Sequence, residues 1–449
     1  MDAATERLTL SAPTTRRMDA FSYEPSPLRR RLVIVGAVAV IGLLLLTFGW
    51  LPGAFSPQSA GAAAAQETAA PLVRVRLLGN TTKMNLAAGA SPVLSADVLA
   101  TPVRLNLPGE PVLVTLSAGG WRLGDQAFPR GELTLDPTDE ETASALEVNG
   151  TRYRGRVRLV PKGDNTFDVV NHLDVESYLM GVLPKEIPGS WTPAAHEAQA
   201  IVARTYAIFE LKTTGASRGH WDLWPDDRSQ VYGGLSAEHA RAREAVDATR
   251  GEVVVHDTEK GPRIFKAYFH STSGGATLGN DAAFNEPPID ALGSVALGDL
   301  GKASSRFHWD AFAVTKTELT RRIKLWGEKA GHPTKKMATL DTIEVAERNA
   351  NDRPTRFELK DVRGNRYSML PEEMRWSVNT DRGDGKPQLF SAWFRPINNK
   401  TNVVFADGRG WGHGVGMCQW SAEAMAKNGQ PSRTIVARSY PNTRIVRAY

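Results

Sequence analysis

The sequence predicts an α+β protein that is membrane-anchored, with a β-rich N-terminal part followed by a mixed α/β domain that holds a cleft. Three observations carry this. An uncharged run from Leu32 to Leu51 has about the ~20 residues that a helix needs to span a bilayer. From Leu72 the chain breaks into short apolar alternations punctuated by glycine and proline, the pattern of strands. From Thr192 onward helical and strand-like stretches alternate, and the chain closes on a glycine-rich segment.

Residues 1–31 are polar and carry Arg16, Arg17, Arg29, Arg30 and Arg31, which predicts a basic cytoplasmic tail. Residues 32–51 (LVIVGAVAVIGLLLLTFGWL) then read as a transmembrane signal anchor that Pro52 and Gly53 end. Arginines precede the run and none follows soon after, so the N-terminus is expected in the cytoplasm. A cleavable signal peptide competes with this reading, with the alanines at 62–65 as its small-residue site. The apolar run exceeds the ~7–15 residues of a signal core, which favours the anchor. Either way the body of the chain is expected outside the cytoplasm, on the cell membrane through a single span or secreted after cleavage.

Residues 52–71 are small and polar and read as a flexible linker. Residues 72–149 form the expected β-rich N-terminal region (LVRVRLL, RLNLP, PVLVTLS, GELTLD), and YRGRVRLV carries the same texture to about 172. The mixed domain is assigned to 150–449, with a divergent insert at about 285–400. Thr192-Pro193 is a helix start, threonine at the cap and proline in the first turn, before PAAHEAQAIVARTYAIFELK. SAEHARAREAVDATRG reads as a second helix stopped by Gly251, and KTELTRRIKLWGEKAG as a third. GEVVVHD, RIFKAYFHS and RIVRAY read as strands, residues 341–397 as strand-like with long loops, and SAEAMAKNG as a late helix.

The chain has 449 residues, a net charge of +5 and one cysteine, Cys418. A single cysteine excludes an internal disulfide and a cysteine-rich structural zinc site. A basic exported protein suits an anionic envelope polymer or a membrane surface. Nucleic acid is not an expected partner, because no basic, aromatic-studded recognition motif is present. His196, His220, His270, His308 and His413 are scattered and lack the spacing of a metalloprotease helix, so no metal site is expected.

Chemistry concentrates in a few stretches. GVLPKEIPGSW, 181–191, sets Glu186 between Pro184 and Pro188 and reads as a stiffened loop rather than a helix interior. Val182, Leu183, Ile187 and Trp191 are apolar neighbours that would desolvate its carboxyl and raise its pKa, as a general acid requires. An exposed Glu paired with Lys185 is the plain alternative. On the following helix His196, Gln199, Ala203 and Tyr206 share one face. SQVYG (229–233) and HSTSGG (270–275) join hydroxyl side chains to glycine. A serine hydrolase using Ser271 or Ser273 is disfavoured, since G-x-S-x-G is absent and no Asp marks a triad. GRGWGHGVGMCQW, 408–420, alternates glycine with Arg409, Trp411, His413, Val415 and Met417 and reads as the wall of a cleft.

Taken in order, NHLDVESYLMGVLPKEIPGSW, AHEAQAIVARTYA, SQVYGG, FHSTSGG and GRGWGHGVGMCQWSAEAMAKNG with SYPNT resemble the stage II sporulation protein D (SpoIID) / LytB amidase-enhancer domain family. The resemblance implies a SpoIID/LytB-like catalytic domain and a role on bacterial peptidoglycan. Members with shown activity are lytic transglycosylases that cut the MurNAc-GlcNAc glycosidic bond. Their acid matches Glu186, with Glu176 and Glu197 as rival carboxylates in this chain. Other members are described as non-catalytic enhancers of an N-acetylmuramoyl-L-alanine amidase, which makes a cell-wall amidase the alternative partner beside glycan strands and membrane. Motif membership further implies Arg204, Tyr206, Gln230, Tyr232, Ser273, His413 and Gln419 as sugar-holding residues, with Arg204 facing Glu186 or a muramyl carboxylate. Some sporulation members bind zinc through cysteines around the QVY motif. Here Ser229 holds the preceding place and no cysteine is near, so no cofactor is expected.

Overall fold

The computed structural model describes residues 69–449, except 108, 139–144, 214–217 and 383–388. The basic tail, the Leu32–Leu51 run and the linker as far as residue 68 lie outside the described residues. Among those described, no helix is long and apolar enough to cross a membrane.

The apolar alternations build two antiparallel six-stranded sheets. One has the order Leu72–Thr81, Phe167–Asp174, Arg156–Pro161, Leu133–Asp136, Val93–Ser95, Val103–Arg104. The other has the order Thr151–Tyr153, Leu146–Val148, Lys83–Ala88, Val112–Ser117, Gly120–Leu123, Gln126–Phe128. Period-two burial drives their packing: Leu133 and Leu135 are buried while Thr134 and Asp136, which alternate with them, are not. Val73, Leu86, Val114, Val157 and Leu159 join them in one core. Residues 151–174 complete both sheets, so the described β-structure extends past residue 149 to Asp174.

Eight α-helices are described: α1 (Val175–Glu186), α2 (Pro193–Thr213), α3 (Ala240–Ala248), α4 (Asn280–Phe284), α5 (Lys316–Ala330), α6 (Pro371–Asn379), α7 (Gln419–Lys427) and α8 (Ser432–Ser439). The first corrects the expectation of a proline-stiffened loop, since Glu186 is the last residue of α1 and Pro184 lies inside it. Asp174, the last residue of a core strand, caps the helix, its Oδ1 accepting the N–H groups of Glu176 and Ser177 at 3.0 Å each. With its start fixed in this way, the helix tolerates a proline in its last turn, which removes only the hydrogen bond to the carbonyl of Met180.

Helix α2 is the axis of the second half. Ala200, Ala203 and Ala207 face the core of the two sheets. Ala198, Ile201 and Val202 face another core with Phe265, Met417, Ile435 and Tyr440. Alanine lets both layers approach, which is why the helix is rich in it. Residues of the insert form a core of their own, in which Leu319 and Ile323 of α5 and Met374 of α6 meet Phe357, Phe394 and Phe405 from strands. The expected third helix is α5, capped by the Thr315 hydroxyl and stopped at Gly331, whose φ is 69°. Helix α6 arises where the sequence reads only as polar. Pro371 opens it and the Glu373 carboxylate accepts the Leu370 N–H at 2.8 Å.

The strand predicted over RIFKAYFHS forms only as two short pieces, Gly261–Ile264 and Phe269–His270. The second pairs in parallel with Met417–Cys418 of the glycine-rich segment. Two glycines make that approach possible. A Cβ at Gly416 (φ 68°) would lie 2.0 Å from the Tyr268 carbonyl oxygen, and one at Gly414 (φ 82°) 2.1 Å from the Arg353 guanidinium.

Candidate active site

Glu186 stands where three segments meet. Helix α1 supplies it at its C-terminal end. The 229–233 segment supplies the backbone N–H of Val231, which donates to Glu186 Oε1 at 3.1 Å. The start of α7 supplies the Gln419 side chain, which also hydrogen bonds the carboxyl group. Gln419 Nε2 further reaches Gln199 Oε1 on α2, at a long 3.4 Å. Gln199 Nε2 is buried without a hydrogen-bond partner.

Burial pushes the Glu186 carboxyl up to about 7, against the Val231 and Gln419 hydrogen bonds that lower it, with the charge of Asp227 adding to the rise. The C-terminal end of α1 acts in the same direction, since a helix disfavours negative charge there. The group is therefore half protonated near neutral pH, able to give a proton and to take one back.

The QVY segment is held by its flanks. Gln230 and Tyr232 are buried, at 1% and 6% exposure, while Val231 between them is 36% exposed. Tyr178 donates to Gln230 Oε1 at 3.3 Å, Gln230 Nε2 reaches the Ala203 carbonyl at 3.4 Å, and the Tyr232 hydroxyl donates to Asn171 Oδ1 at 3.0 Å. Gln230 and Tyr232 are thus anchors that present the Val231 amide.

Arg204 is a buried anchor as well. It is fully buried and pairs with Glu176, not with Glu186, its Nη2 standing 2.7 Å from Glu176 Oε2. Glu176 Oε1 also accepts the Gly251 N–H at 3.0 Å and the Tyr449 hydroxyl at 2.6 Å. The cluster ties α1 and α2 to the end of the chain, and it occupies both oxygens of Glu176. Glu197 accepts the Ser432 hydroxyl at 2.8 Å.

Tyr206 is 5% exposed, with Lys266 Nζ 5.3 Å from its ring centre. Lys266 is held in turn by Glu210 at 3.0 Å. Ser273 is buried, its Oγ accepting the Gly275 N–H at 3.3 Å, its N–H on Cys418 Sγ at 3.2 Å and its carbonyl on Arg353 at 2.9 Å. His413 packs against Tyr268, Phe284 and His270 at 5.4–5.6 Å. Its Nδ1 accepts the Val415 N–H at 3.0 Å, and burial, then the charge of Arg375, pull its pKa down to about 3, so the ring is neutral.

Of the seven expected sugar contacts, Gln419 alone has a hydrogen bond to the acid. Sequence reasoning missed the Val231 amide, because a backbone donor leaves no mark in residue type. It also missed Asp227 and Lys266. Cys418 is buried among Ser271, Ser273 and Ser421, and the Ser229 hydroxyl accepts the Trp224 N–H at 3.2 Å. Among the described residues no group of three or more His, Cys, Asp or Glu side chains is placed to hold a metal ion.

A capped helix thus brings one carboxyl of raised pKa to a backbone donor, with Gln419 and Gln199 beside it. Residues 163–256 match the family model SpoIID, described as Stage II sporulation protein. The chain is 26% identical over 292 residues to Stage II sporulation protein D of Bacillus subtilis (strain 168), covering 62% of this chain and 76% of that protein. It is 25% identical over 349 residues to the Amidase enhancer of the same organism, covering 69% of this chain and 46% of the relative, so it spans about half of that protein. It is 28% identical over 306 residues to an uncharacterized protein of Brachyspira hyodysenteriae, covering 68% and 75%. The family match and the named relatives support the SpoIID/LytB family for this chain. The matched residues contain Glu186, Gln199 and Val231, while the glycine-rich segment lies beyond them.

Proposed function

We propose that this protein is a peptidoglycan lytic transglycosylase in which Glu186 serves as both acid and base. The family and the amidase-enhancer relative support the coarser role in the cell wall. The observation that carries the finer reading is one carboxyl raised to about 7 and held by the Val231 amide.

Glycosidases that use water as nucleophile employ two carboxylates. A transglycosylase needs one, because the substrate brings its own nucleophile. Glu186 gives its proton to the glycosidic oxygen as the bond to the muramic C1 breaks, and N-acetylglucosamine leaves with a free 4-hydroxyl. The muramic 6-hydroxyl then attacks C1, and the Glu186 carboxylate takes its proton. A 1,6-anhydro ring closes, no water is consumed, and the enzyme ends as it began. The Val231 and Gln419 donors stabilise the carboxylate between the two transfers. Because peptidoglycan is the substrate in this reading, residues 69–449 work outside the cytoplasm, with Leu32–Leu51 as their anchor.

Mass spectrometry of soluble products from purified peptidoglycan tests this, with wild type beside Glu186→Gln. Anhydro-muramyl ends from wild type alone are expected. Reducing muramyl ends would make the protein a hydrolase and send the search to Asp227. A second reading, a non-catalytic enhancer of a cell-wall amidase, is favoured by the similarity to the Amidase enhancer. Its mark would be no products from either protein, with amidase stimulation that survives Glu186→Gln.

A further inference from the structure

Trp411 is 43% exposed, whereas Trp121, Trp191, Trp221, Trp309, Trp326 and Trp393 are at most 8% exposed. An indole left in water by a fold that buries six others calls for a reason. Its backbone is fixed on both sides: its N–H donates to the Thr272 carbonyl at 2.8 Å, and its carbonyl accepts the Thr272 N–H at 3.1 Å. Its ring meets that of Phe390 edge-on, centres 5.8 Å apart, and the Arg306 guanidinium sits 4.0 Å from the Phe390 ring. The side chain is therefore braced rather than loose.

Beside it opens a cavity of about 370 Å³ lined by Asp299, Lys302, Ser304, Phe307 and His308. That volume is within the range that holds a small ligand. Two contacts join cavity and indole. Gly410, the residue before Trp411, donates its N–H to the carbonyls of Arg306 and Phe307 at 2.9 and 3.2 Å. Ser304 Oγ stands 2.8 Å from Thr272 Oγ1. The lining has one aromatic ring and several hydrogen-bonding groups, and Lys302 and Asp299 pair at 3.2 Å on its rim. Aromatic faces beside fixed polar groups suit a sugar, whose C–H face is apolar and whose edge carries hydroxyl and amide groups.

The same backbone leads back to the acid. Gln419 bonds Glu186, the next residue Trp420 donates its N–H to the Ser271 carbonyl at 3.1 Å, and the residue after Ser271 is the Thr272 that pairs with Trp411. Backbone hydrogen bonds thus link the segment that carries the indole to the helix start that carries Gln419.

We infer that Trp411 and the adjoining cavity form a distal subsite for an N-acetylhexosamine of the glycan strand, set away from the bond that Glu186 cleaves. This rests on the glycan reading above. The subsite grips a strand several sugars long and gives short fragments nothing to hold.

The test is calorimetry of β-1,4-linked N-acetylglucosamine oligomers of increasing length, using the full chain with Glu186→Gln so that nothing is cut. Affinity is expected to climb with length. Adding Trp411→Ala should remove the climb, weakening the longest oligomer about tenfold while leaving the shortest unchanged. Lys302→Ala with His308→Ala, both exposed, tests the cavity should the Trp411→Ala protein melt early, and a loss confined to long oligomers is again expected. An identical climb in the variants overturns the subsite and leaves the transglycosylase reading standing. An equal loss at every length also overturns it, placing the indole at the cleavage point. No binding of any oligomer by the Glu186→Gln protein overturns both.

Discussion

The backbone N–H of Val231 donates to Oε1 of Glu186 at 3.1 Å, across 45 residues of sequence. The bond exists because Gln230 and Tyr232 are buried on either side, so the extended chain must turn the residue between them outward. A backbone donor cannot be deleted by a side-chain change, which makes Glu186 itself the residue to alter. Glu186→Gln keeps the shape and removes the proton traffic. Anhydro-product formation should fall ~10²–10⁴-fold, the worth of a general acid. The thermal midpoint at neutral pH should not fall, and a variant that keeps full rate while folded would exclude Glu186 as the acid.

The raised pKa gives two pH effects with defined signs. The acid must be protonated to act, so kcat/KM should decline as pH rises through about 7. The folded group binds its proton more tightly than the unfolded one, whose value is 4.5. Stability is therefore expected to fall as pH rises from 4.5 to about 7, by at most ~3 kcal/mol. Denaturant titrations of wild type and Glu186→Gln across this window should diverge, with the variant flatter.

How much of this was legible depended on whether the cause was local. Helix α2 was legible because Thr192 and Pro193 mark its start and alanines its two packed faces. Helix α5 is legible in KTELTRRIKLWGEKAG, which ends on Gly331, whereas its Thr315 cap is not part of that reading. Helix α1 was not, since Pro184 argues against a helix in any local reading. What outweighs it is Asp174, which caps the helix from a strand set by the sheet. The desolvation of Glu186 is legible in its apolar neighbours, whereas its donors are not, because Val231 and Gln419 arrive from distant segments. Arg204 and Glu176 both looked available for chemistry. Their engagement with each other, Gly251 and Tyr449 is purely tertiary.

That buried pair should be a matter of stability. Arg204→Met leaves the Glu176 carboxylate without its main partner in a closed core. The expected cost is ~3–5 kcal/mol, read as a lower denaturant midpoint. Whatever fraction folds should show the wild-type pH profile, because neither residue touches Glu186.

Gly416 is a backbone requirement. Its φ is 68°, and the Tyr268 carbonyl oxygen would lie 2.0 Å from an alanine Cβ at this position, which leaves no room for the substitution. Gly416→Ala should part the Phe269–His270 and Met417–Cys418 strands and lower the thermal midpoint by several degrees, consistent with a cost of ~1–3 kcal/mol. An unchanged midpoint would mean that the parallel pairing contributes little.

Gln419 separates a positioning role from a packing role. Its hydrogen bond stabilises the Glu186 carboxylate and so lowers a pKa that burial has raised. Gln419→Leu removes the donor and keeps the volume. The Glu186 pKa should then rise above about 7, moving the alkaline limb of kcat/KM to higher pH. The rate at low pH should drop as well, because the carboxylate formed after the first transfer loses a donor. Gln199 acts on the acid through Gln419, at 3.4 Å, so Gln199→Leu should shift the limb the same way by less. A side chain that merely filled space would change the thermal midpoint and leave the limb where it was. If Gln419→Leu keeps the wild-type limb, Val231 alone holds the carboxylate and the two glutamines belong to the packing between α2 and α7.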